Sequence, residues 1–259
     1  MKRVVAVAIV LAACAHTARI MTWTEYGKRS VSWPYIFRRG TLLYYGASHT
    51  YKPDDPQIAE IQKLWSEFHP DIVLNEGGNP PVAATIEEAV TQYGEAGLIR
   101  FLARRDDVPV VSIDPVRSEE TAYLSKRFTR EQIKMFHLVK AVAQQMQNHD
   151  PAKVDAELTR ILSIDNDTPG LSGSPRTADE FIQIYRQYFP DAADYKAAKM
   201  SWFDPMKNET LFNAMARLSS EYRDRYMVAM LQRHLRDGER VFAVVGGTHV
   251  VMQEPALNP

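Results

Sequence analysis

Two histidines in matching contexts are the residues best suited to chemistry in this sequence. His49 ends the turn 46–49 and His249 ends the turn 246–249; both turns have the form Gly-x-x-His and both follow an apolar run. Two carboxylates, Glu76 and Asp114, also stand just beyond apolar runs. Parallel strands deliver such residues to one edge of a sheet, where open α/β sheets bind ligands. We therefore expect the four side chains to form one site.

Such a set of side chains suits two kinds of catalysis. His49, Glu76 and His249 could ligate a divalent metal such as Mn, Co or Zn, which would activate a water molecule. Without a metal, a histidine held by a carboxylate could act as a general base. We assign the turn glycines, Gly46 and Gly246, to ligand binding.

Each assignment also has a purely structural alternative. A histidine after a glycine turn could hydrogen-bond the loop backbone or cap the following helix. Glu76 could be an exposed charge, although the two glycines that follow it indicate a close backbone approach. Asp114 precedes Pro115 and could serve only in a turn or a helix cap.

Aromatic side chains near these turns could line a ligand pocket. We assign Tyr51 to binding and regard Tyr44, Tyr45, Trp202 and Phe203 as further pocket candidates. Core packing is the alternative for each of them, since aromatic residues supply much of the buried area of a protein.

The elements that would position the site alternate between strands and helices. Five short apolar runs bounded by Gly, Pro or charged residues are predicted strands: 31–37, 41–45, 71–74, 108–113 and 240–245. Amphipathic spacing predicts helices at 57–68 and 86–104 between them, and Pro34 places the first strand at an edge. This order predicts an α/β fold with a mixed, mainly parallel central sheet flanked by helices.

The stretch between the last two strands is long and mostly helical in pattern. We predict a helical insertion at about 116–204 over the C-terminal edge of the strands, followed by a long helix at 208–235. After His249 the apolar character is brief and Pro255 lies near the end, so the pattern predicts no full helix there. The region 29–259 is predicted to be a single domain.

The first residues predict export from the cell. A positive start and an eight-residue apolar stretch, 4–11, form a secretory signal that is too short to cross a bilayer. The Leu-Ala-Ala-Cys run ending at Cys14 resembles the lipobox of bacterial lipoproteins, which implies cleavage before this cysteine and acylation of its sulfur. We predict a signal peptide at 1–13 and a lipidated tether at 14–28. An ordinary cleaved signal with an incidental cysteine is the alternative.

Composition and charge limit the partners. The chain has 259 residues, 45% of them hydrophobic, and a formal net charge of -1, as in globular proteins with a full core. No basic block is dense enough for nucleic-acid binding. The predicted partners are the membrane, through lipidated Cys14, and a peptide or small-molecule substrate. Ala15 resembles an outer-membrane sorting signal, which predicts a bacterial cell-envelope protein that faces the periplasm.

The order and spacing of these motifs resemble a known family. Two Gly-x-x-His turns, the strand-end Glu76 and the run 223–227, Arg-Asp-Arg-Tyr-Met, are similar to the TraB/Tiki group of hydrolases. That group is related to the erythromycin esterases and to ChaN-type haem-binding lipoproteins. The resemblance covers about 41–114 and 222–249 and does not cover the helical insertion. It implies that Arg223 orients a carboxylate or stabilises an oxyanion, with a surface helix charge as the alternative.

The resemblance implies two functions of different classes. A cell-envelope hydrolase would use His49, Glu76 and His249 to activate water, with or without a metal, and with Arg223 and Asp114 in support. A binding lipoprotein would instead hold haem or another small ligand without catalysis, and an inactive scaffold is the third possibility. The sequence contains no Gly-x-Ser-x-Gly elbow, no P-loop and no His-Glu-x-x-His motif.

Overall fold

A mainly parallel sheet forms the centre of the fold in a computed structural model that describes residues 19–148, 150–192 and 194–258. The described residues contain five strands: β1 (Tyr35–Arg39), β2 (Leu42–Ala47), β3 (Ile72–Asn75), β4 (Val110–Ser112) and β5 (Val241–Gly246). Strand β1 pairs antiparallel with β2, and all other neighbouring strands are parallel. The predicted α/β fold with a mixed, mainly parallel sheet is confirmed.

The order of the strands brings the two ends of the chain together. The sheet runs β1-β2-β5-β3-β4, so the last strand in sequence lies between the second and the third. In the β2–β5 register, Gly46 lies opposite Val245 and Ala47 lies opposite Gly246. The two Gly-x-x-His turns therefore leave the sheet from adjacent positions at the same edge.

Helices flank this sheet on both faces. The described residues contain nine α-helices: α1 (Trp23–Tyr26), α2 (Pro56–Phe68), α3 (Ile86–Arg105), α4 (Arg117–Leu124), α5 (Arg130–Asn148), α6 (Val154–Asp167), α7 (Ala178–Tyr188), α8 (Leu211–Arg236) and α9 (Gly247–Leu257). Helices α2 and α3 cover one face, where Trp65 and Leu98 pack in one cluster with Phe242. Helices α8 and α9 cover the other face, where Leu231 and Val250 pack with Ala243.

A second hydrophobic core lies within the helical insertion. Helices α5, α6 and α7 contribute to it. Helix α5 and helix α7 each supply a buried phenylalanine, Phe136 and Phe181. Near the start of α8, Phe212 packs in this second core, and near its end Leu231 packs against the sheet. Arg223 lies between these two contacts, at the junction of the cores.

The prediction that no full helix follows the second turn is wrong. Helix α9 runs to Leu257, and Val250 and Val251 are fully buried. Pro255 lies in the last turn, where its missing N–H removes one helical hydrogen bond near an end that frays anyway. Burial of the apolar residues against the sheet stabilises the helix despite the proline.

Part of the predicted tether packs against the domain. Met21 is buried, and its N–H donates to the Met252 carbonyl at 2.8 Å. Helix α1 follows, and Arg29 forms an ion pair with Glu254 at 2.8 Å. The packed chain therefore begins before residue 29.

The predicted signal peptide and the lipidation site lie outside the described residues, so the predictions for 1–13 and Cys14 stay predictions. Within the part of the chain that the structure describes, no helix combines the length and the apolarity needed to cross a membrane.

Candidate functional site

Glu76 lies at the centre of the polar cluster at the sheet edge. It follows β3 directly, and its N–H donates to the Val244 carbonyl of β5 at 3.1 Å. One carboxylate oxygen, Oε2, accepts the Gly246 N–H at 2.7 Å, while Oε1 accepts Arg223 Nη2 at 2.6 Å. The carboxylate is thus held by a strand end and by a helix.

Asp114 belongs to the same cluster. Its Oδ1 accepts the same Arg223 Nη2 at 2.6 Å, and its Oδ2 accepts the Gly77 N–H at 2.6 Å. Arg223 is mostly buried, with 20% of its side chain exposed, and bridges Glu76 and Asp114. The structure therefore places Arg223 within the cluster and not on the helix surface.

The Nδ1 side of His249 is held by a buried chain of hydrogen bonds. Its Nδ1 lies 2.7 Å from Asp224 Oδ1, and its Nε2 lies 3.6 Å from Glu76 Oε1. Asp224 Oδ1 also accepts Gln253 Nε2 at 2.8 Å, and Tyr44 Oη donates to Gln253 Oε1 at 2.9 Å. This arrangement fixes the ring and directs Nε2 toward Glu76.

His49 has a carboxylate partner of its own. Its Nδ1 lies 3.4 Å from Glu95 Oε2, and Glu95 Oε1 accepts the Thr50 N–H at 2.7 Å. A Cβ atom at Gly246 would stand 2.8 Å from His49 Nε2, so the ring packs directly on this glycine. The His49 side chain is 62% exposed, whereas that of His249 is 11% exposed.

The two predicted binding glycines have different roles in the structure. Gly246 donates its N–H to Glu76 and leaves room for His49. Gly46 lies inside β2, where a Cβ atom would stand 2.8 Å from the Cα of Gly247. Gly46 therefore allows β2 and the start of α9 to approach each other, and it takes no part in the polar cluster.

The surrounding carboxylates raise the pKa of both histidines. For His49, the hydrogen bond with Glu95 is the largest influence and outweighs the lowering caused by burial. For His249, burial is the largest influence and lowers the pKa, but the charges of Asp224 and Glu76 outweigh it. Both rings therefore hold a proton to higher pH than a free imidazole does.

The same charges act in the opposite direction on Glu76. Burial is the largest influence and favours the neutral acid, but His249, Arg223 and His49 together hold the pKa of Glu76 well below its ordinary value. The pKa of Arg223 lies above its ordinary value because Glu76 and Asp114 outweigh its burial. Glu76 is therefore a carboxylate and Arg223 a guanidinium throughout the physiological pH range.

Within the predicted metal set of His49, Glu76 and His249, both carboxylate oxygens of Glu76 already have protein partners, and the metal set stays a prediction. Arg223 stands 2.6 Å from one oxygen of Glu76 and supplies the positive charge that a metal would bring, and the Gly246 N–H engages the other oxygen. Among the described residues, no group of three or more His, Cys, Asp or Glu side chains is arranged to hold a metal ion.

Three pockets open onto this cluster. The His49 pocket, about 140 Å³, is also lined by Glu76, Glu95, Tyr51 and Tyr93. The His249 pocket, about 300 Å³, is also lined by Arg223, Thr248, Phe203, Trp23 and Met206. The Asp114 pocket, about 300 Å³, is also lined by Arg223, Lys140, Arg117 and Glu120. Glu76 is thus reached from the His49 pocket, and Arg223 is reached from the other two.

Some of the aromatic residues predicted to line a pocket do so, and the others lie in or against the hydrophobic cores. Tyr51 and Phe203 line pockets, in agreement with the prediction for them. Tyr44 and Tyr45 are fully buried in the two layers beside the sheet, so the prediction of a pocket-lining role is wrong for both. Trp202 packs against the second core.

Sequence reasoning missed the two carboxylates that hold the histidines. Glu95 follows Gly94, whose φ of 58° interrupts α3, and a glycine inside a helical pattern was the available signal. Asp224 is adjacent to Arg223 in the run that carries the family resemblance, but nothing in the sequence connects it to His249. Both carboxylates come from helices, and they reach the strand-end residues only through tertiary packing.

Comparison with known proteins adds nothing to this description: no protein-family model, no curated protein and no solved structure matches the chain. The resemblance to the TraB/Tiki group therefore stays a prediction.

Proposed function

We propose that the chain hydrolyses an ester or amide bond at the edge of the sheet, using its two histidine–carboxylate pairs. The observation that carries the proposal is the placement of His49 with Glu95 and of His249 with Asp224 on either side of Glu76. A histidine whose Nδ1 is held by a carboxylate can exchange a proton at Nε2, which is the arrangement general acid–base catalysis requires. The resemblance to the TraB/Tiki hydrolases supports the same reaction class.

His49 is the proposed general base. Its ring is exposed to solvent, and its Nε2 lies against Gly246 beside Glu76. A water molecule in the His49 pocket would give a proton to Nε2 as its oxygen attacks the carbonyl carbon. Glu95 would stabilise the imidazolium that forms, as carboxylate partners of catalytic histidines do.

His249 is the proposed general acid. It is nearly buried between Asp224 and Glu76, both of which favour its protonated form. Its Nε2–H would protonate the leaving oxygen or nitrogen as the scissile bond breaks. Arg223 borders the same pocket and would stabilise the negative charge that develops on the carbonyl oxygen.

The proposed location is the bacterial cell envelope, with the chain anchored through acylated Cys14. Several acyl chains on one cysteine would give stable attachment, which a single chain does not. Replacing Cys14 with Ser should release the protein from the membrane fraction of cells. Retention of the variant with the membrane would overturn the anchoring proposal.

A substrate panel tests the reaction class. We would measure hydrolysis of para-nitrophenyl esters and amino-acid para-nitroanilides by the wild type and by His49→Ala after dialysis against a chelator. We expect turnover by the wild type and a loss of at least about 100-fold in the variant, the lower range for acid–base groups. Activity that depends on added Mn, Co or Zn would instead support the metal-dependent reaction.

Ligand binding without catalysis is the second candidate, because exposed His49 and Tyr51 line the same pocket and either side chain can ligate haem. Haem titration followed by absorbance separates the two candidates. A stoichiometric ligation spectrum that is lost in His49→Ala, together with no turnover of any substrate, would favour binding.

A further inference from the structure

Two of the three pockets share a lysine that has no ion-pair partner in the part of the chain that the structure describes. Lys140, on α5, lines both the His249 pocket and the Asp114 pocket. Within the described residues its ammonium makes no hydrogen bond and no ion pair, and it lies 5.8 Å from the centre of the Phe136 ring. A partly buried charge without a counter-charge is costly, so an anion supplied from outside the chain would stabilise it.

The other basic side chains that line these two pockets are already paired. Arg223 binds Glu76 and Asp114, Arg117 forms an ion pair with Asp165 at 2.7 Å, and Arg160 forms one with Glu157 at 2.7 Å. Glu120, in the Asp114 pocket, accepts the hydroxyl of Ser219. Lys140 is therefore the one lysine or arginine of the described lining residues that forms no ion pair.

The carboxylates near Lys140 do not offset its burial. Burial is the largest influence and lowers the pKa of Lys140, and the neighbouring Arg223 lowers it further; the charges of Glu120 and Glu76 act in the opposite direction but do not compensate. A bound anion would reverse both effects, because it would supply the interaction that the protonated amine lost on leaving water.

We propose that Lys140 binds a single carboxylate on the substrate and makes the hydrolase selective for monoanionic esters or amides; the inference rests on the hydrolytic function proposed above. One cation without an ion-pair partner among the described residues matches one negative charge. Asp114 and Glu120 line the adjoining pocket and would repel a dianion such as a phosphate monoester.

The remainder of the His249 pocket indicates the rest of such a substrate. Its wall contains the apolar side chains of Trp23, Phe136, Phe203 and Met206, and these would bind an aliphatic or aromatic segment. The substrate class is therefore amphiphilic, with a carboxylate at Lys140 and its scissile carbonyl near His249 and Arg223.

Matched substrates and variants test the role of Lys140. We would compare kcat/KM for para-nitrophenyl hemiglutarate, which carries one carboxylate, with that for its neutral methyl ester. The full chain would be used as wild type, Lys140→Met, Lys140→Arg and Lys63→Met. Lys63 is 74% exposed on α2 and controls for the loss of one positive charge.

We expect Lys140→Met to reduce kcat/KM for the hemiglutarate roughly 10- to 100-fold, the factor for one lost charge-assisted hydrogen bond, while the neutral ester changes little. Lys140→Arg should recover most of the loss, since it keeps the charge, whereas a lysine that transferred protons would not be replaced by arginine. Equal losses for the two esters, or no rescue by arginine, would overturn the inference.

A binding measurement separates this inference from the failure of the hydrolytic proposal. Titration calorimetry with pentanoate, which carries one carboxylate, and with inorganic phosphate needs no turnover. If neither ester is hydrolysed but pentanoate binds the wild type and not Lys140→Met, the hydrolytic proposal fails and the carboxylate site stands. No pentanoate binding by the wild type, or tighter binding of phosphate than of pentanoate, would overturn the carboxylate site.

Discussion

Arg223 connects two carboxylates through a single nitrogen atom. Glu76 and Asp114 both accept Arg223 Nη2 at 2.6 Å, and all three side chains are largely buried. Two partly buried carboxylates at this separation would repel each other without the guanidinium between them. At the residue scale, Arg223 therefore allows Glu76 and Asp114 to lie close together, whether or not it also acts in catalysis.

Replacing Arg223 with Met should destabilise the protein by about 3–5 kcal/mol, because removing one partner leaves buried charge uncompensated. Urea unfolding measures this change. Arg225→Met is the matched control: its ion pair with Glu221 is about half exposed, so the expected cost is at most about 1 kcal/mol. Equal costs for the two variants would contradict the assignment of Arg223.

Glu95 sets the pKa of the proposed base. Because its hydrogen bond is the largest cause that raises the pKa of His49, Glu95→Gln should lower that pKa. A general base must be unprotonated, so the acidic limb of the pH profile of kcat/KM should move to lower pH in this variant.

The control for this shift lies on the same helix. Glu88 hydrogen-bonds the Ala84 N–H in the first turn of α3, away from the cluster. Glu88→Gln should leave the acidic limb unchanged. An acidic limb that stays in place in Glu95→Gln, or moves to higher pH, would show that His49 is not the titrating base.

At the scale of elements, the interruption of α3 positions Glu95. Gly94 has a φ of 58° and a ψ of -144°, a conformation that side chains other than glycine rarely adopt. A Cβ atom there would stand 2.9 Å from the Thr50 carbonyl oxygen, in the backbone next to His49. The break in the helix thus brings α3 against the first Gly-x-x-His turn.

Gly94→Ala should therefore reduce both stability and activity. Backbone strain alone costs about 1–3 kcal/mol, and the contact with Thr50 adds a displacement of the turn that carries His49. Gly40→Ala is the matched control, since Gly40 has a φ of 53° and no atom near its missing Cβ. It should lose stability and keep kcat/KM. Equal activity of the two variants would contradict the positioning role of α3.

The strand-end residues could be predicted from the sequence, because a short apolar run followed by a polar residue is a local pattern. His49, Glu76 and Asp114 all lie at the predicted edge for this reason. Asp224 and Glu95 could not be predicted in the same way. Both residues lie on helices. The partner of a helical side chain depends on how the helix packs in the fold and on where it is interrupted, and a local sequence pattern specifies neither.

At the scale of the whole molecule, the site depends on an order of strands that no local pattern specifies. The sequence predicts parallel strands, but it does not show that β5 enters between β2 and β3. This order places β5, the strand that precedes His249, between the strands that precede His49 and Glu76. Helix α8 then connects the second core to the sheet, and its middle delivers Arg223 and Asp224 to the junction.

The charge cluster should make stability depend on pH. Glu76 has a lowered pKa, so its contribution is present above its ordinary value of 4.5 and is lost as pH falls below it. His249 has a raised pKa, so its contribution is present below its ordinary value of 6.5 and is lost as pH rises through the raised pKa. The two contributions overlap between these two ordinary values.

Calorimetric Tm values measured from mildly acidic to alkaline pH test this expectation. The Tm of the wild type should fall as pH rises through the pKa of His249. His49 is mostly exposed, so its contribution to the pH dependence of Tm should be small. His249→Gln should therefore remove most of the fall in Tm with rising pH. A His249→Gln variant with the same pH dependence as the wild type would contradict the electrostatic account.

The central claim is that His49 and His249 act on one substrate as a single catalytic unit without a metal. A double-mutant cycle on kcat/KM, measured with metal-depleted protein and an ester that the wild type hydrolyses, tests it most directly. Residues that act as a unit have non-additive effects. We expect His49→Ala and His249→Ala each to lose at least about 100-fold, and the double variant to lose little more than either. A double variant with wild-type activity, or two losses that multiply in full, would contradict the claim.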